Sequence, residues 1–567
     1  MIDLIMTSPA EGPATLFTRN FRIHAGIPLG LYSEGPRSPV ALLYGNVSPD
    51  QVAALGQWYQ AVIAIPWLED DDIPREPLHY ETFTMLAPIL ARVQQFDTEG
   101  MTCFVKTSEG VPLVYEGKVG NTPVFLFGAD LIKATIRILS GELEEKTGND
   151  SFGRHNPPPE SVIRTPAVSL HFNLIERIIK HAFQRIGQPL LSIPRWPKSA
   201  PLALFLSHDV DVVKKWTPKR VGYEVFKSFG ELLRFRPVRM KRTLDSLRES
   251  MRNNDPYWNF DDLTFLESGN GFVSTWYFAP FGGVYDDREN PYDPVYHRKP
   301  SEITARIRRL KESGCEIGLH GTRRAHLEER ALIRQVESYE ARLGFKLSGV
   351  RQHYLMFRHG ATLEATAGAG LLYDATLGFS DQPGFRNGMA APFFLYPQEH
   401  PAGQVVEIPL HFMDGVFLNG GGDREAIKRK VIEAYLYAKT AGGLFSVLVH
   451  PGNFDKSEIP DLESFYRLFL PRCKLDNALS MTGRQIAEWW IAREKVLRAI
   501  EYVPDLWRIR NVSIPPDMDF CLTAPNIKSM KFAIDGTIGS SSLSGNTLTI
   551  RPGPVDPAKG VTFFRKR

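Results

Sequence analysis

Cysteine is scarce: four residues in 567 (Cys103, Cys315, Cys473 and Cys521), far apart and with no Cys-x-x-Cys pair. This spacing argues against a disulfide framework and a thiolate zinc site, and leaves each cysteine as a small buried apolar residue. No apolar run approaches the roughly 20 residues needed to cross a bilayer, so no membrane span is expected. The opening MIDLIMTSPAEGPATLF lacks the basic start and apolar stretch of a signal peptide, which makes a cytoplasmic location the expectation. An excess of one charge is missing too: 67 Lys and Arg face 64 Asp and Glu, a net charge of +3. Nucleic-acid binding needs a concentrated basic face. The one dense basic stretch, Lys214 to Arg252, is interleaved with Glu and Asp and reads as a solvated, partly helical insertion, so no nucleic-acid partner is expected. There is no internal repeat. GNGFVS (269–274) and the glycines at 420–422 are turns without phosphate-loop or dinucleotide spacing.

What is present is the texture of a globular protein, 43% hydrophobic and 23% charged, on a chain too long for one core. Residues 1–190 read as a mixed α/β domain of unassigned role. Pro49 to Ile65 is helix-like, 101–106 and 123–127 are strand-like, and 129–143 and 167–186 have helical periodicity. Four prolines in PLLSIPRWPKSAP (189–201) mark the main boundary. Seven apolar runs then alternate with amphipathic helices: 202–207, 272–278, 315–320, 348–353, 371–376, 404–411 and 444–450. The helical stretches are 301–313, 327–343, 424–441 and 482–493. Strands alternating with helices predict parallel β-α units, and seven over about 300 residues favour a barrel over an open sheet. The α/β barrel domain spans 200–500, with an insertion at about 214–300, and a small β-rich segment follows at 515–567.

The polar residues of the central region fall at the C-terminal ends of its apolar runs: His208, Asp209 and Asp211; His320; Arg351 and His353; Asp374; His411; and His450. In parallel α/β folds these ends form the active-site face. Turn and capping preferences explain the acids better than the histidines. Asp209 and Asp211 are two apart, so an extended segment turns both carboxylates to one side, which suits one for a metal and the other for a proton. His320 ends a strand and suits a divalent ion, and His326 follows six residues on. The aromatics Tyr257, Trp258, Phe260, Trp276, Tyr277 and Phe278 fit a core better than a sugar-stacking surface.

LFLSHDVD (204–211), CEIGLHGT (315–322), GVRQHYLMFR (349–358), LYDATLGFSDQPGFRNG (372–388), EIPLHFMD (407–414) and VLVHP (447–451), in this order, resemble the polysaccharide deacetylases, the carbohydrate esterase family 4 or NodB-homology proteins. The resemblance covers about residues 200–495 and implies a distorted (β/α) barrel of about seven strands that hydrolyses an N-acetyl or related amide with one divalent metal, zinc first. It implies Asp209 as general base, Arg351 as its orienting partner, His450 as the acid for the leaving amine, and Asp211 and His320 as metal ligands. The family pattern has a second histidine four residues after the first, and here that position is Arg324. The third ligand is then sought at His326 first, His353 second and His411 third. His353, Asp374, Arg386 and His411 are also substrate-binding candidates. The expected substrate is an N-acetylated sugar, glycan precursor or glycolipid, and a homo-oligomer is compatible with the sequence. The alternatives are a small cyclic amide or ureide hydrolase on the same fold, and a metal-free binding or scaffold protein.

Overall fold

In a computed structural model of the chain, the described residues are 2–7, 11–31, 38–45, 47–67, 101–106, 112–145, 147–151, 153–217, 221–222, 255–280, 293–294, 296, 299–419, 423–503, 506–535, 538–555, 557–558 and 560–566. Much of the 214–300 insertion and the glycine turn at 420–422 lie outside them.

The N-terminal region is a seven-stranded sheet. Its strands are β1 (Ile2–Met6), β2 (Leu29–Leu31), β3 (Val40–Gly45), β4 (Ala61–Pro66), β5 (Thr102–Lys106), β6 (Pro112–Val119) and β7 (Thr122–Phe127), in the order β2-β1-β3-β4-β7-β6-β5. The helix expected over 49–65 is corrected. It runs only from Pro49 to Leu55, under a Ser48–Gln51 capping box, and the apolar stretch after Gly56 is β4. AVIAIP is a buried, β-branched run, and burial against β3 and β7 outweighs the helical spacing of its apolar residues.

β8 (Leu190–Ser192) leads into the central sheet, which is formed by β9 (Ala203–Val210), β10 (Ser274–Phe278), β11 (Glu316–Gly321), β12 (Gly349–Gln352), β13 (Tyr373–Asp374), β14 (Val406–Glu407), β15 (Phe412–Met413), β16 (Leu444–Leu448) and β17 (Leu479–Ser480). The order is β14-β13-β12-β11-β10-β9-β16-β15, all parallel, with β17 also paired to β9. The seven apolar runs thus yield nine strands. Besides β17, the run at 404–411 divides: β14 ends it on one edge of the sheet, and β15 begins on the opposite edge.

That division forces curvature. Eight strands laid flat at about 4.8 Å spacing would separate the edges by about 34 Å. The chain from Glu407 to Phe412 can span at most about 17 Å. The sheet must therefore curl until the edges nearly meet, and residues 408–411 bridge the gap. Ile408 N–H donates to the Asp374 carbonyl at 2.9 Å and Leu410 N–H to Leu377 at 2.8 Å, while His411 N–H donates to Ser446 at 3.2 Å on the other edge. Pro409 has no N–H and interrupts the ladder there.

Alternation along β9 fixes what faces inward. Leu202, Leu204 and Leu206 join the outer core beneath the helices, whereas Ala203 and Phe205 belong to the inner one. The inner series continues as Ser207, Asp209 and Asp211, so the barrel interior turns polar at its C-terminal end. Helices Pro300–Glu312, Glu329–Leu343, Arg424–Thr440, Leu462–Leu475 and Gly483–Arg498 accompany the strands.

The C-terminal strands are β18 (Ile500–Val503), β19 (Leu506–Ile509), β20 (Phe520–Thr523), β21 (Lys531–Asp535), β22 (Ile538–Ser544), β23 (Thr547–Pro552) and β24 (Val561–Lys566). They form two antiparallel sheets, β18-β19-β24-β21 and β22-β23-β20-β8, so the proline-rich segment supplies one strand of the second. One apolar core includes Phe21 and Phe172 of the N-terminal region, Leu395 and Val406 of the central one, and Trp490 and Phe563 further on. No described helix is long and apolar enough to cross a membrane.

A buried ion pair joins the first helix to the last. Arg19 Nε and Nη2 donate to Glu494 Oε1 and Oε2 at 2.7 and 2.8 Å, and the guanidinium lies 3.6 Å from the Phe394 ring centroid. Removing one partner strands a buried charge at a cost of about 3–5 kcal/mol, whereas replacing both with apolar residues is far milder. Glu494→Ala should therefore lower the urea midpoint substantially, and Arg19→Met/Glu494→Leu should recover most of the loss. Equal losses in both variants would refute this assignment.

Candidate active site

Asp209 is fixed before any ligand arrives. Its Oδ1 accepts from Arg351 Nη1 at 3.0 Å, and both side chains are almost wholly buried. The same Nη1 donates to Ser207 Oγ at 2.9 Å, Nε donates to the Ala375 carbonyl at 2.8 Å, and the guanidinium stands 4.6 Å from the Tyr277 ring centroid. Burial opposes the charge on Arg351, but the Asp209 carboxylate more than offsets it and raises the guanidinium pKa. Asp209 therefore sits beside a permanent cation that orients it.

Two residues on, Asp211 lies where three imidazoles converge. Its Oδ1 is 3.1 Å from His320 Nε2 and 3.9 Å from His353 Nε2, and its Oδ2 is 3.6 Å from His450 Nε2. Each ring is held by its other nitrogen. Nδ1 donates to the Arg351 carbonyl in His320 (2.9 Å), to Asp293 Oδ1 in His353 (3.0 Å) and to Asp414 Oδ1 in His450 (2.7 Å). This leaves all three Nε2 atoms facing the same carboxylate. Burial disfavours the Asp211 anion, but the His320 contact and the nearby His353 and His450 more than reverse this and lower its pKa. Burial likewise works against charge on His320, and Asp209 and Asp211 reverse it, raising that pKa.

Asp211, His320 and His353 fit a divalent cation. Their ligand atoms lie within 4.8 Å of one another. Donors bound at about 2.1 Å to one ion stand about 3.0–3.4 Å apart, close to the 3.1 Å separation of His320 and Asp211. Asp211 Oδ1 is buried without a hydrogen bond, an orphaned acceptor that an ion would satisfy. Two neutral imidazoles and one carboxylate leave room for water and substrate.

His450 differs from the other two. Asp414, itself fully buried, accepts from both Nδ1 and the backbone N–H of His450, each at 2.7 Å. Burial opposes the charge, yet Asp414 and then Asp211 and Asp209 raise the imidazole pKa to about 10.

Several candidates from the sequence are placed elsewhere. His326 is not in the ligand group. Its Nδ1 donates to the Arg323 carbonyl at 2.6 Å, three residues back on the same turn, and His353 takes the third position. Arg386 makes a buried pair with Glu144 of the N-terminal region, Nε to Oε2 at 2.9 Å. His411 has both ring nitrogens engaged by backbone, Nε2 donating to Met389 and Nδ1 accepting from Ser446 N–H, and burial lowers its pKa to about 4. Asp374 lies fully buried beside Glu407 on the next strand, where its Oδ1 accepts from Thr376 N–H at 2.8 Å. Thr376 Oγ1 in turn accepts from Gln352 N–H at 3.0 Å, so Asp374 supports the backbone between Arg351 and His353. His208 bonds the Val449 carbonyl and Glu267 and is structural.

Asp293 and Asp414 were missed. Asp414 carries a legible signal, an acid directly after the short apolar strand β15. Asp293 has none: it lies between Tyr292 and Pro294 in the insertion, where no periodicity assigns it a position.

The chain is similar in structure to polysaccharide deacetylases. It aligns over 100% of its length with 98% of the carbohydrate deacetylase Agd3, at 8% identity and a TM-score of 0.41. Over 53% of its length it aligns with 93% of a protein from Mycobacterium smegmatis named as a polysaccharide deacetylase, at 19% identity and a TM-score of 0.35. It also aligns over 53% with 93% of Puue allantoinase, at 13% identity and a TM-score of 0.34. No protein-family model and no curated protein matches the chain. At these scores the side chains themselves have to carry the functional reading.

The buried Asp374–Glu407 pair gives a pH signature. Burial raises Asp374 to about 6, and burial together with Asp374 drives Glu407 well above the carboxylate range. A carboxyl with a raised folded pKa keeps its proton after the unfolded chain has lost it, so stability falls as pH rises from about 4 through 6 and beyond. Glu407→Gln mimics the protonated form and should raise the urea midpoint relative to wild type at pH 8, with little change at pH 4.5. Parallel pH profiles for the two proteins would exclude the shared-proton pair.

Proposed function

We propose that this protein is a divalent-metal-dependent hydrolase of carbon–nitrogen bonds that removes an acetyl group from an N-acetylated carbohydrate. The observation that carries this reading is the arrangement around Asp211: two anchored imidazoles on one side, an Arg351-oriented carboxylate two residues before it, and a histidine bonded to the buried Asp414 on the other. An ion held by Asp211, His320 and His353, zinc in the first instance, would acidify a water molecule and polarise the substrate carbonyl.

The protein's own groups account for the proton movements. Asp209 accepts the proton of the attacking water, and Arg351 holds that carboxylate aligned. His450 delivers a proton to the departing nitrogen, and Asp414, accepting from its Nδ1, favours the charged ring from which that proton leaves. An amine leaving group cannot depart without protonation, and the imidazole held by Asp414 stands where it can supply that proton. An ester has no such need, and a metal site for oxygen activation or a scaffold requires neither the base nor the acid. The carbohydrate side of the reading rests on the order of the sequence motifs.

Elemental analysis should find about one zinc, cobalt or nickel ion per chain in wild type, lost in Asp211→Asn, His320→Ala and His353→Ala but kept in His326→Ala. Asp209→Asn should keep the metal and slow acetate release from N-acetylated sugars by about 10²–10⁴-fold. Wild-type protein that stays metal-free after all three ions are supplied would overturn the mechanism.

A second measurement isolates His450. His450→Gln should slow amide hydrolysis by about 10²–10⁴-fold but affect an activated aryl acetate far less. Equal losses on both substrates would remove His450 as the acid.

A further inference from the structure

His353 is held from two directions, and one of them is the N-terminal region. Its imidazole is fixed by Asp293, which also accepts from Arg323 N–H at 2.9 Å. Its backbone leads directly into Tyr354 and Leu355, with φ of 60° and 53°. Two successive side-chain-bearing residues in the left-handed region are unusual and persist only where surrounding contacts enforce them. One such contact comes from 200 residues away. Arg154 Nη1 donates to the Tyr354 carbonyl at 3.1 Å and to Ser380 Oγ at 3.2 Å. Arg154 is itself held in place, since Asp150 accepts from its backbone N–H at 3.0 Å and from its Nε at 2.7 Å. Neighbouring N-terminal residues grip the next loop of the barrel rim, through the Glu144–Arg386 pair and through Phe385 N–H donating to the Ile163 carbonyl at 2.8 Å.

We infer that Arg154 is a positioning residue for the metal ligand His353, so that residues 139–169 of the N-terminal region complete a site whose ligands all lie on the barrel. This rests on the metal-site reading above. The guanidinium neutralises the exposed end of the left-handed turn and keeps His353 Nε2 turned toward Asp211. Without it the turn is free to relax and the third ligand moves away. Arg164 provides the contrast. It also links the N-terminal region to the barrel, through Glu433 on an outer helix at 2.6 Å, but does not touch the rim turn.

The test is zinc affinity of the full chain, by competition with a chelator, together with the absorption spectrum of the cobalt(II)-loaded protein. Arg154→Ala should weaken zinc binding by about 10–100-fold, the usual range for a group that orients a ligand, and alter the cobalt spectrum. Arg154→Lys should fall between, because lysine keeps the charge but lacks the fork. Arg164→Ala should match wild type in both readouts, which separates positioning from general loosening of the N-terminal region. Arg154→Ala with wild-type affinity and spectrum, beside a wild type that binds metal, would overturn the inference alone. Wild type that binds neither ion would overturn the metal reading and this inference with it.

Discussion

Closure of the central sheet is the constraint on which the site depends. Residues 408–411 join opposite edges of an eight-strand parallel path, and a link that short is compatible only with a curled sheet. Once the sheet is curled, the C-terminal ends of β9, β11, β12 and β16 surround one axis. Asp209 and Asp211, His320, Arg351 and His450 then come from strands dispersed over some 240 residues into one cluster. In a flat sheet the inner series of β9 would face a layer of helices, and Asp209 would have no route to Arg351.

Within that frame the side chains are ordered by anchors rather than by mutual attraction alone. Every histidine around Asp211 has its Nδ1 occupied, by a backbone carbonyl or by a carboxylate. A backbone carbonyl holds His320 and the Asp293 carboxylate holds His353, while the fully buried Asp414 holds His450 and raises its pKa. The two carboxylates on β9 diverge for the same kind of reason. Asp209 pairs with a fixed guanidinium that cannot transfer a proton, and Asp211 faces nitrogens that can share an ion. Two acids two residues apart thereby meet different partners from nearly identical local sequence.

The N-terminal region and the barrel are joined by charge pairs buried at their contact, Arg19–Glu494 and Arg386–Glu144, and by a continuous apolar core. The contact reaches the rim of the barrel on the side of His353. The proline-rich stretch at 189–201 changes the texture of the sequence without marking a break in packing, because β8 pairs with the C-terminal β20 and Trp196 is buried.

Much of this was legible in the chain alone. Alternating apolar runs and helices indicate a parallel α/β region, because both patterns follow directly from backbone periodicity. The polar residues at run ends point to one face, and Asp209, Asp211, His320, Arg351 and His450 come together there. The sequence could not rank His353 above His326, because that choice depends on which ring reaches Asp211 after the chain has turned. It could not separate Arg386 and His411, which serve packing, from the residues of the site, since a buried ion pair with Glu144 leaves no local trace. Asp293 and Arg154 leave no local trace for the same reason, whereas Asp414 stands directly after a short apolar strand. Spacing along a strand or helix is a local property that sequence determines, whereas the partner met across 36 to 242 residues is decided only when the sheet curls and the N-terminal region packs against its rim.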